Sequence, residues 1–285
     1  MSALVPLADA YRIAFLLLAQ PAIGGVVLAA IGRVTGADWR AALLPPVAMR
    51  LVIVGAALLG LTQVAHPAPS YLALWMHPAS VGVRAILFAG ALAFAGARLA
   101  RGASTTFAAV ALALYAAVVT PVASDWLLGQ DPGHAVSAAG MMLFVWQIAG
   151  ACGLVLLRRA GDERFRSDMA KLMLAASLGL GYLAYMDYLI LWFGNLPSRV
   201  GFYAARNGVA GGAEVVSALI LGLALPIAVL AGGRDPRVAG GSVLAALAAF
   251  AIWWIGGGVA GLLAAAAAVV VAITFATRGR GSAHG

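Results

Sequence analysis

GYLAYMDYLILWFGNLPSRVGFYAAR, residues 181–206, is the stretch that decides how this chain folds. Its first part is an apolar run that contains one carboxylate, Asp187, among aromatic residues. The run ends at Gly194, and a short amphipathic segment follows it as far as Arg206. A side chain that ionises inside an apolar span is costly to keep there, so Asp187 is a candidate for function.

The composition of the whole chain agrees with this stretch. Of the 285 residues, 64% are hydrophobic and only 10% are charged, whereas a soluble domain carries about 25% charged residues. Apolar runs of about 20 residues recur, and a helix of that length crosses a hydrocarbon core of about 30 Å. The runs are continuous and do not alternate with period two, which favours helices over a barrel. The sequence therefore predicts an all-α, polytopic transmembrane protein.

The sequence predicts nine apolar spans, at approximately 11–32, 41–63, 79–98, 104–123, 135–157, 170–194, 209–231, 238–255 and 259–277. Three glycines, at 256–258, separate the last two spans. A single tilted helix is the alternative for this region, but about 40 residues is twice the length that one crossing needs. The glycines therefore favour a tight re-entry between two spans.

Lysine and arginine are distributed unevenly between the two sets of connections. One set, with the C-terminal tail, holds 13 of them, whereas the other set holds two, Arg199 and Arg206; Arg12 lies near the start of the chain. Because basic connections stay on the cytoplasmic side, we predict that the N-terminus is outside and the C-terminus inside. This orientation needs an odd number of spans, which supports nine over eight. The words "outer" and "inner" are used below in this predicted sense.

Residues that could hold a redox cofactor are scarce. The histidines, none of them well inside a span, are His66, His77, His134 and His284. A haem would need axial ligands within the spans, or a CxxCH motif for covalent attachment, and the sequence offers neither. The single cysteine, Cys152, excludes an iron–sulfur cluster held by this chain alone. We therefore expect no haem, no cluster and no metal site in this chain.

A small set of polar residues remains inside the spans or at their ends. Five of them are placed towards the outer side and the sixth near the middle of the fifth span: Asp187, Glu214, Arg84, Asp125, His134 and Gln147. One interpretation is an outer polar cavity that moves protons or receives a quinone headgroup. The other is an internal ion pair of Arg84 with Asp187 or Glu214 that only fixes helix packing. The sequence leaves both interpretations open.

Two further features concern the outer side. Four aromatic residues, spaced three, three and four apart, form one helical stripe with Asp187 on another face: Tyr182, Tyr185, Tyr188 and Trp192. Such a stripe is typical of packing or of a subunit contact. Asp131, in the turn sequence Asp131-Pro132-Gly133, is a candidate cap for the fifth span.

Several stretches resemble a known family. They are ALYAAVVTPVASDWLLGQDPGHAVSAAGMMLFVWQ (113–147), KLMLAASLGLGYLAYMDYLILWFGNLP (171–197), FYAAR (202–206), IGRVTGADWRAALLPP (31–46) and HPASVGVRAILF (77–88). Together they resemble the ActF-type membrane subunit of bacterial alternative complex III, a quinol-oxidising respiratory assembly. The resemblance covers about residues 10–230, and SDWLLGQDP with YLILWFGNLP is its most specific part.

The resemblance implies a single membrane domain over 1–285, similar to polysulfide-reductase-type (NrfD-like) subunits. It implies two four-helix bundles, at about 11–123 and 135–255, and a final helix at about 259–277. It also implies a bacterial inner-membrane subunit without a cofactor of its own, which scaffolds the complex and is a candidate proton path. The partners implied are a related quinone-site membrane subunit, a multihaem cytochrome c and an iron–sulfur subunit, with quinone at an interface.

The motif positions that carry over from the family are Asp125, Trp126, Asp131, Pro132, Tyr182, Tyr188, Trp192, Asn195, Pro197, Tyr203 and Arg206. The sequence departs from the family pattern at Asp187, where glutamine is expected, and at Arg199, where glutamate is expected. It also lacks the expected aspartate before AFAIWWI (249–255). The alternative function is a small-solute or ion transporter, which would have broken helices around a midplane site. An autonomous quinone enzyme is disfavoured, because the chain would have no redox centre to accept the electrons.

Overall fold

The computed structural model describes residues 4–131, 134, 136–194, 197–256 and 258–278. Within these ranges almost every residue is helical and no strand occurs. Eight of the helices are long and apolar enough to cross a membrane. The prediction of an all-α, polytopic helical protein is therefore confirmed, and the chain is a multi-pass integral membrane protein.

The described α-helices, in chain order, are α1 (Leu4–Thr35), α2 (Pro46–Leu59), α3 (Pro78–Ala100), α4 (Thr105–Leu127), α5 (Ala139–Arg158), α6 (Glu163–Phe193), α7 (Pro197–Ala204), α8 (Val209–Leu219), α9 (Leu225–Ala231), α10 (Pro236–Ile255) and α11 (Gly258–Arg278). Short 3₁₀ helices span Arg40–Ala42, Gly60–Val64 and Ser70–Leu72. A π-helical turn, Ile220–Ala224, joins α8 to α9, so that the two helices together form one candidate membrane span. Pro226 follows this turn, and a proline there removes a backbone donor from the helix.

Each predicted span coincides with a helix, but four helix starts differ clearly from the prediction. α2 begins at Pro46 and α5 at Ala139, after the predicted starts at residues 41 and 135. α1 begins at Leu4, before the predicted start at residue 11, and α6 begins at Glu163, before residue 170. The early start of α6 has a local cause, because the side chain of Asp162 accepts a hydrogen bond of 2.8 Å from the backbone N–H of Phe165 and caps the helix. Charged residues beyond an apolar run can thus belong to the helix, and hydropathy alone did not predict this extension.

The predicted cap of the fifth span by Asp131 is wrong. α5 begins only at Ala139, and its N-cap residue, Ala138, makes no side-chain hydrogen bond to the helix. Before α5, the backbone N–H of His134 donates to the carbonyl oxygen of Asp131, and the His134 side chain is buried.

The end of the chain contains two helices and not one. Gly256 closes α10 with a φ of 95°, a left-handed conformation that glycine adopts without a steric penalty. α11 follows, and its part Gly258–Val271 is an apolar helix shorter than the eight candidate spans. The single tilted helix is therefore excluded, while nine crossings and the outside position of the N-terminus stay predictions.

Two helices, α1 and α5, form the centre of the protein. α1 packs on α2, α3 and α4 on one side and on α5, α10 and α11 on the other, and α5 also packs on α4, α6 and α10. Small residues allow these close approaches. A Cβ atom at Gly24 of α1 would lie 2.0 Å from the carbonyl oxygen of Gln147 on α5, and one at Gly240 of α10 would lie 2.5 Å from that of Gly153. The division into two sub-bundles stays a prediction, since α1 contacts both groups of helices.

Short connections close the inner end. α4 and α10 are capped by Ser104 and Asp235, whose side chains accept hydrogen bonds from backbone N–H groups of the first turn. Asp235 also forms an ion pair of 2.8 Å with Arg159 at the end of α5. Arg50 is exposed one turn inside α2, which starts late at Pro46, as expected for a basic residue near the interface.

Candidate functional site

Asp187 is the centre of a buried polar site at the predicted outer end. It lies on α6, about two turns before the helix ends, and only 8% of it is exposed. Its Oδ2 accepts a hydrogen bond of 2.6 Å from the hydroxyl group of Tyr203 on α7. The same oxygen lies 3.1 Å from Nε2 of His134, in the connection after α4. One carboxylate oxygen therefore ties together three separate segments.

Aromatic stacking holds His134 in place. Its imidazole ring is parallel to the ring of Phe202, with a centroid distance of 3.8 Å and an interplanar angle of 5°. The guanidinium carbon of Arg206 lies 3.6 Å from the same Phe202 centroid. Two groups so close to one ring must lie on its opposite faces, so Phe202 separates the histidine from the arginine. We call Asp187, His134, Phe202, Tyr203 and Arg206 the aromatic cluster.

Arg206 fixes the end of α10. Its Nε and Nη2 donate hydrogen bonds of 2.8 Å to the carbonyl oxygens of Trp253 and Trp254, and its Nη1 donates one of 2.7 Å to that of Phe202. The last carbonyls of a helix have no partner inside the helix and carry partial negative charge, so a cation there is stabilising. Trp254 in turn donates from its indole Nε1 to the carbonyl oxygen of Leu127, the last residue of α4, at 2.9 Å.

The predicted ion pair of Arg84 with Asp187 or Glu214 is wrong. Arg84, on α3, instead binds both carboxylate oxygens of Asp125 on α4, at 2.8 Å each. It also donates to the carbonyl oxygen of Trp75 at 2.7 Å and lies 4.0 Å from the centroid of the Trp75 ring. α3 and α4 are neighbours, whereas α6 and α8 lie on the other side of the centre. The partner of Arg84 was therefore decided by helix adjacency, which the sequence does not give.

Glu214 lines a separate pocket. A cavity of about 870 Å³ opens between α6 and α8, and its walls include Tyr188, Trp192 and Arg206 besides Glu214. Glu214 is partly buried and no hydrogen bond of its carboxylate is found among the described residues. Tyr203 also lines this cavity while it binds Asp187. The cavity therefore touches the aromatic cluster through the ring of Tyr203.

The remaining polar candidate, Gln147, is fully buried on α5, near the middle of the helix bundle. Its side-chain oxygen accepts a hydrogen bond of 2.5 Å from the hydroxyl group of Tyr115 on α4. It makes no contact with Asp187 or Arg84 in the hydrogen bonds of the described residues. The candidates thus lie in four places and not in one continuous cavity: Asp187 with His134, Arg84 with Asp125, Glu214 at the pocket, and Gln147 in the centre.

The family-motif residues divide between core and surface. Trp126 is fully buried, with its ring edge-to-face against Phe15 and Phe88. Tyr182 and Trp192 of the aromatic stripe are 59% and 67% exposed, so this stripe faces outwards and Asp187 inwards. Asp131 contributes its backbone carbonyl to His134.

The other motif positions lie at or near the start of α7. Pro197 is its first residue, where a proline costs no hydrogen bond, and Tyr188 on α6 packs edge-on against Tyr203. Pro132 and Asn195 lie outside the described residues.

Sequence reasoning missed a second polar site near the start of α1. Arg12 is fully buried and donates from Nη1 to the carbonyl oxygen of Asp125 at 3.1 Å. One turn earlier, Asp9 binds Nε2 of His66 at 2.8 Å. The signal was present in the sequence, because two charged residues three apart on an otherwise apolar helix share one face. The first span was predicted to begin at residue 11, so Asp9 lay outside it and its pairing with a helix face was not considered.

Comparison with protein families and curated proteins identified no relative of this chain. No protein-family model matches the chain, and no curated protein matches it with significant similarity.

Proposed function

We propose that this integral membrane protein is a subunit of a quinol-oxidising respiratory complex of the alternative complex III type. In this proposal it scaffolds the complex, carries no redox centre of its own, and works in the bacterial inner membrane. The enzyme activity, quinol:cytochrome c or quinol:oxidase oxidoreduction, then belongs to the assembled complex. Haem c and iron–sulfur clusters belong to the partner subunits.

One observation carries the proposal. The two most specific stretches of the family resemblance, SDWLLGQDP and YLILWFGNLP, lie about 60 residues apart in the chain, and residues that flank them contact each other in the aromatic cluster. His134, just after the first stretch, contacts Asp187, just before the second. Trp254 joins the end of the first stretch through the carbonyl oxygen of Leu127. Contact between residues next to the two stretches supports the proposal that both belong to one site.

The outer surface supports the assembly role. Tyr182, Tyr185 and Trp192 project from α6 with more than half of each residue exposed, beside the apolar pocket between α6 and α8. Exposed aromatic residues in a contiguous patch are typical of interfaces. In the proposed complex this face is covered by the related membrane subunit, and the pocket is the place for quinone at that interface.

Proton movement, in the proposal, uses the aromatic cluster. Asp187 contacts two groups that can exchange a proton, the imidazole of His134 and the hydroxyl of Tyr203. An ionisable residue inside a membrane helix that faces the protein interior is a candidate for a proton relay.

Purification through a tag on this protein, in mild detergent, tests the proposal. We expect multihaem cytochrome c and iron–sulfur subunits to co-purify and to give a haem c signal in the reduced-minus-oxidised spectrum. A protein that purifies alone and colourless would contradict the proposed function.

Replacement of Asp187 by asparagine tests the proton role in the purified complex. We expect the Asp187→Asn variant to assemble and to release fewer protons per electron in vesicles, because the amide cannot carry a proton between His134 and Tyr203. Glu163→Gln, at the exposed start of α6, is the matched control and should leave the ratio unchanged. An unchanged ratio in Asp187→Asn would remove the proton role and leave the scaffold role intact.

The second candidate is a small-solute or ion transporter. The observation in its favour is the π-helical turn between α8 and α9, which lies beside the 870 Å³ cavity and its carboxylate, Glu214. Single π-helical turns inside helices and ionisable residues within a membrane span are frequent at functional sites. Purification without partner subunits, together with solute uptake by vesicles that is lost in Glu214→Gln, would favour this function over the first.

A further inference from the structure

Three polar side chains meet at the predicted outer end of α1, apart from the aromatic cluster. Arg12 comes from α1, Gln63 from the 3₁₀ helix after α2, and Gln130 from the turn after α4, and none of them is more than 9% exposed. Arg12 and Gln63 reach Gly129, and Gln130 is its neighbour in the chain. A Cβ atom at Gly129 would lie 2.6 Å from Nη1 of Arg12 and 2.7 Å from Nε2 of Gln63. We call Arg12, Gln63, Gly129 and Gln130 the arginine cluster.

Most polar atoms of this cluster have no partner among the described residues. They are Nε and Nη2 of Arg12 and both side-chain polar atoms of Gln63 and of Gln130. Buried polar atoms in folded proteins are nearly always hydrogen-bonded, either to protein or to ordered water. Buried polar atoms without a protein partner, on neighbouring segments, are candidates for binding a polar molecule.

The hydrogen-bonding capacity of these atoms limits the kinds of ligand that could bind to them. Arg12 and the two amide nitrogens can only donate, whereas the two amide oxygens can only accept. A ligand that satisfies both kinds must itself donate and accept. The distances around Gly129 place the Arg12 and Gln63 nitrogens within reach of a single bridging water molecule.

The local charges argue against an ion. The Arg12 guanidinium lies near two carboxylates, those of Asp9 and Asp125. Asp125 is also bound by Arg84, and Asp9 by His66. The two arginines, Arg12 and Arg84, thus face two aspartates, so these four side chains together leave no net charge for an ion to neutralise.

We propose that the arginine cluster binds a small group of ordered water molecules inside the first helices of the protein. Water donates to the glutamine oxygens and accepts from Arg12 and the amide nitrogens, so a buried guanidinium is solvated within the membrane region. Gly129 is required because a Cβ atom there would clash with Nη1 of Arg12 and Nε2 of Gln63. The proposal does not rest on the proposed function, since either a respiratory subunit or a transporter can contain such a site.

A high-resolution cryo-EM map of the lipid-embedded protein tests the proposal directly. We expect density peaks within 3.5 Å of the Arg12 guanidinium nitrogens and of the Gln63 amide, in positions that no side chain fills. A side chain of this protein in those positions, or no density, would overturn the proposal.

The sign of a stability change gives an independent test. If water completes the hydrogen bonds of Gln63, then Gln63→Leu removes satisfied bonds and strands Arg12, and the melting temperature falls by about 3 °C or more. If the amide is unpaired, leucine relieves a buried unsatisfied group and the melting temperature rises, which would overturn the proposal.

Gly129→Ala tests the positions of the two side chains that would hold the water. Its methyl group would push Arg12 and Gln63 out of place, so we expect a lower melting temperature and the loss of the cryo-EM peaks. Gly90→Ala is the matched control, because a Cβ atom at Gly90 meets nothing within 4 Å, and it should melt no lower than the native protein. Peaks that persist unchanged in Gly129→Ala would contradict the assigned place.

An exchange of salts distinguishes water from an anion. We expect the same melting temperature in sodium chloride and in sodium gluconate at equal ionic strength. Stabilisation by chloride that disappears in Arg12→Lys would identify a halide site and overturn the assignment to water.

Discussion

The aromatic cluster and the arginine cluster lie at the same predicted end of the protein but satisfy their polar groups differently. In the aromatic cluster Asp187 binds a tyrosine and a histidine, and Arg206 binds three carbonyl oxygens. In the arginine cluster Arg12 has one hydrogen bond, to a carbonyl oxygen, and both glutamines have none from described residues. Protein partners fix the first site rigidly, whereas the second depends on what else enters it. The two sites should therefore respond differently to substitution.

The largest effect is expected beside the arginine cluster, where Arg84 binds Asp125. Asp125 is 1% exposed, so Arg84→Leu would leave a buried carboxylate without its bidentate partner. We expect the free energy of unfolding to fall by about 3–5 kcal/mol. Unfolding in mixed micelles with increasing denaturing detergent measures it.

Arg40→Leu is the control for this prediction, because it removes the exposed pair with Asp38 and should cost about 0–1 kcal/mol. Equal losses in the two variants would mean that Asp125 is not held by Arg84 in a buried site.

A smaller effect is expected in the aromatic cluster, from Tyr203→Phe. This variant removes one hydrogen bond to the Asp187 carboxylate and keeps the ring contacts, so we expect a loss of about 2 kcal/mol. The same unfolding titration measures it. Tyr182→Phe, on the exposed stripe, is the control and should change nothing measurable. If both variants unfold alike, the Tyr203 hydroxyl does not bind Asp187.

Between the two clusters, Tyr115→Phe tests the Gln147 site at the centre of the protein. The variant leaves the Gln147 oxygen buried without its donor, so we expect a loss of about 1 kcal/mol, close to the mean for a single hydrogen bond. Thermal unfolding in detergent, compared with Tyr185→Phe on the exposed stripe, measures it. A stabilised Tyr115→Phe variant would show that Gln147 takes another partner.

The smallest effect is expected at the inner end, away from both clusters, and it depends on pH. The pKa of Asp235 is lowered by hydrogen bonds from the backbone N–H of Arg237 and from the Arg159 side chain. A carboxyl group with a lower pKa in the folded state stabilises the fold fully above its unfolded pKa of about 3.9. This contribution is lost as the pH falls through the folded pKa.

Asp235→Asn should therefore melt slightly below the native protein near pH 7, and the difference should vanish in strong acid. Melting curves of both proteins across the acid range measure it, and a difference that grows towards low pH would contradict the assigned direction. The effect is small because the ion pair is exposed to solvent.

The sequence predicted the helices well because lipid permits few alternatives. A continuous apolar run must become a helix, and each of the nine predicted runs did so in the described residues. The same logic failed at the starts of α1 and α6, where Asp9 and Asp162 lie within or beside the helix. There, local capping and packing decided the boundary, and neither follows from hydropathy.

The candidate site could be predicted only in part. Asp187 and His134 were recognised as polar residues at the outer side, and the structure brings them together. The partner of Arg84, the stacking of His134 on Phe202 and the burial of Arg12 were not predictable, because each joins segments far apart in the chain. Pairwise distances between helices depend on packing that a single sequence does not specify.

By itself, then, the sequence determined that this protein is a helical, multi-pass membrane protein with few intramembrane charges, since the cost of unpaired backbone groups in lipid leaves no other structure. Only the tertiary structure decided which of those charges meet. Arg84 faces Asp125 and Asp187 faces Tyr203 because α3 packs beside α4 and α7 folds back on α6. The length of an apolar run along the chain determines which segments become helices. The packing of neighbouring helices determines which charged side chains meet.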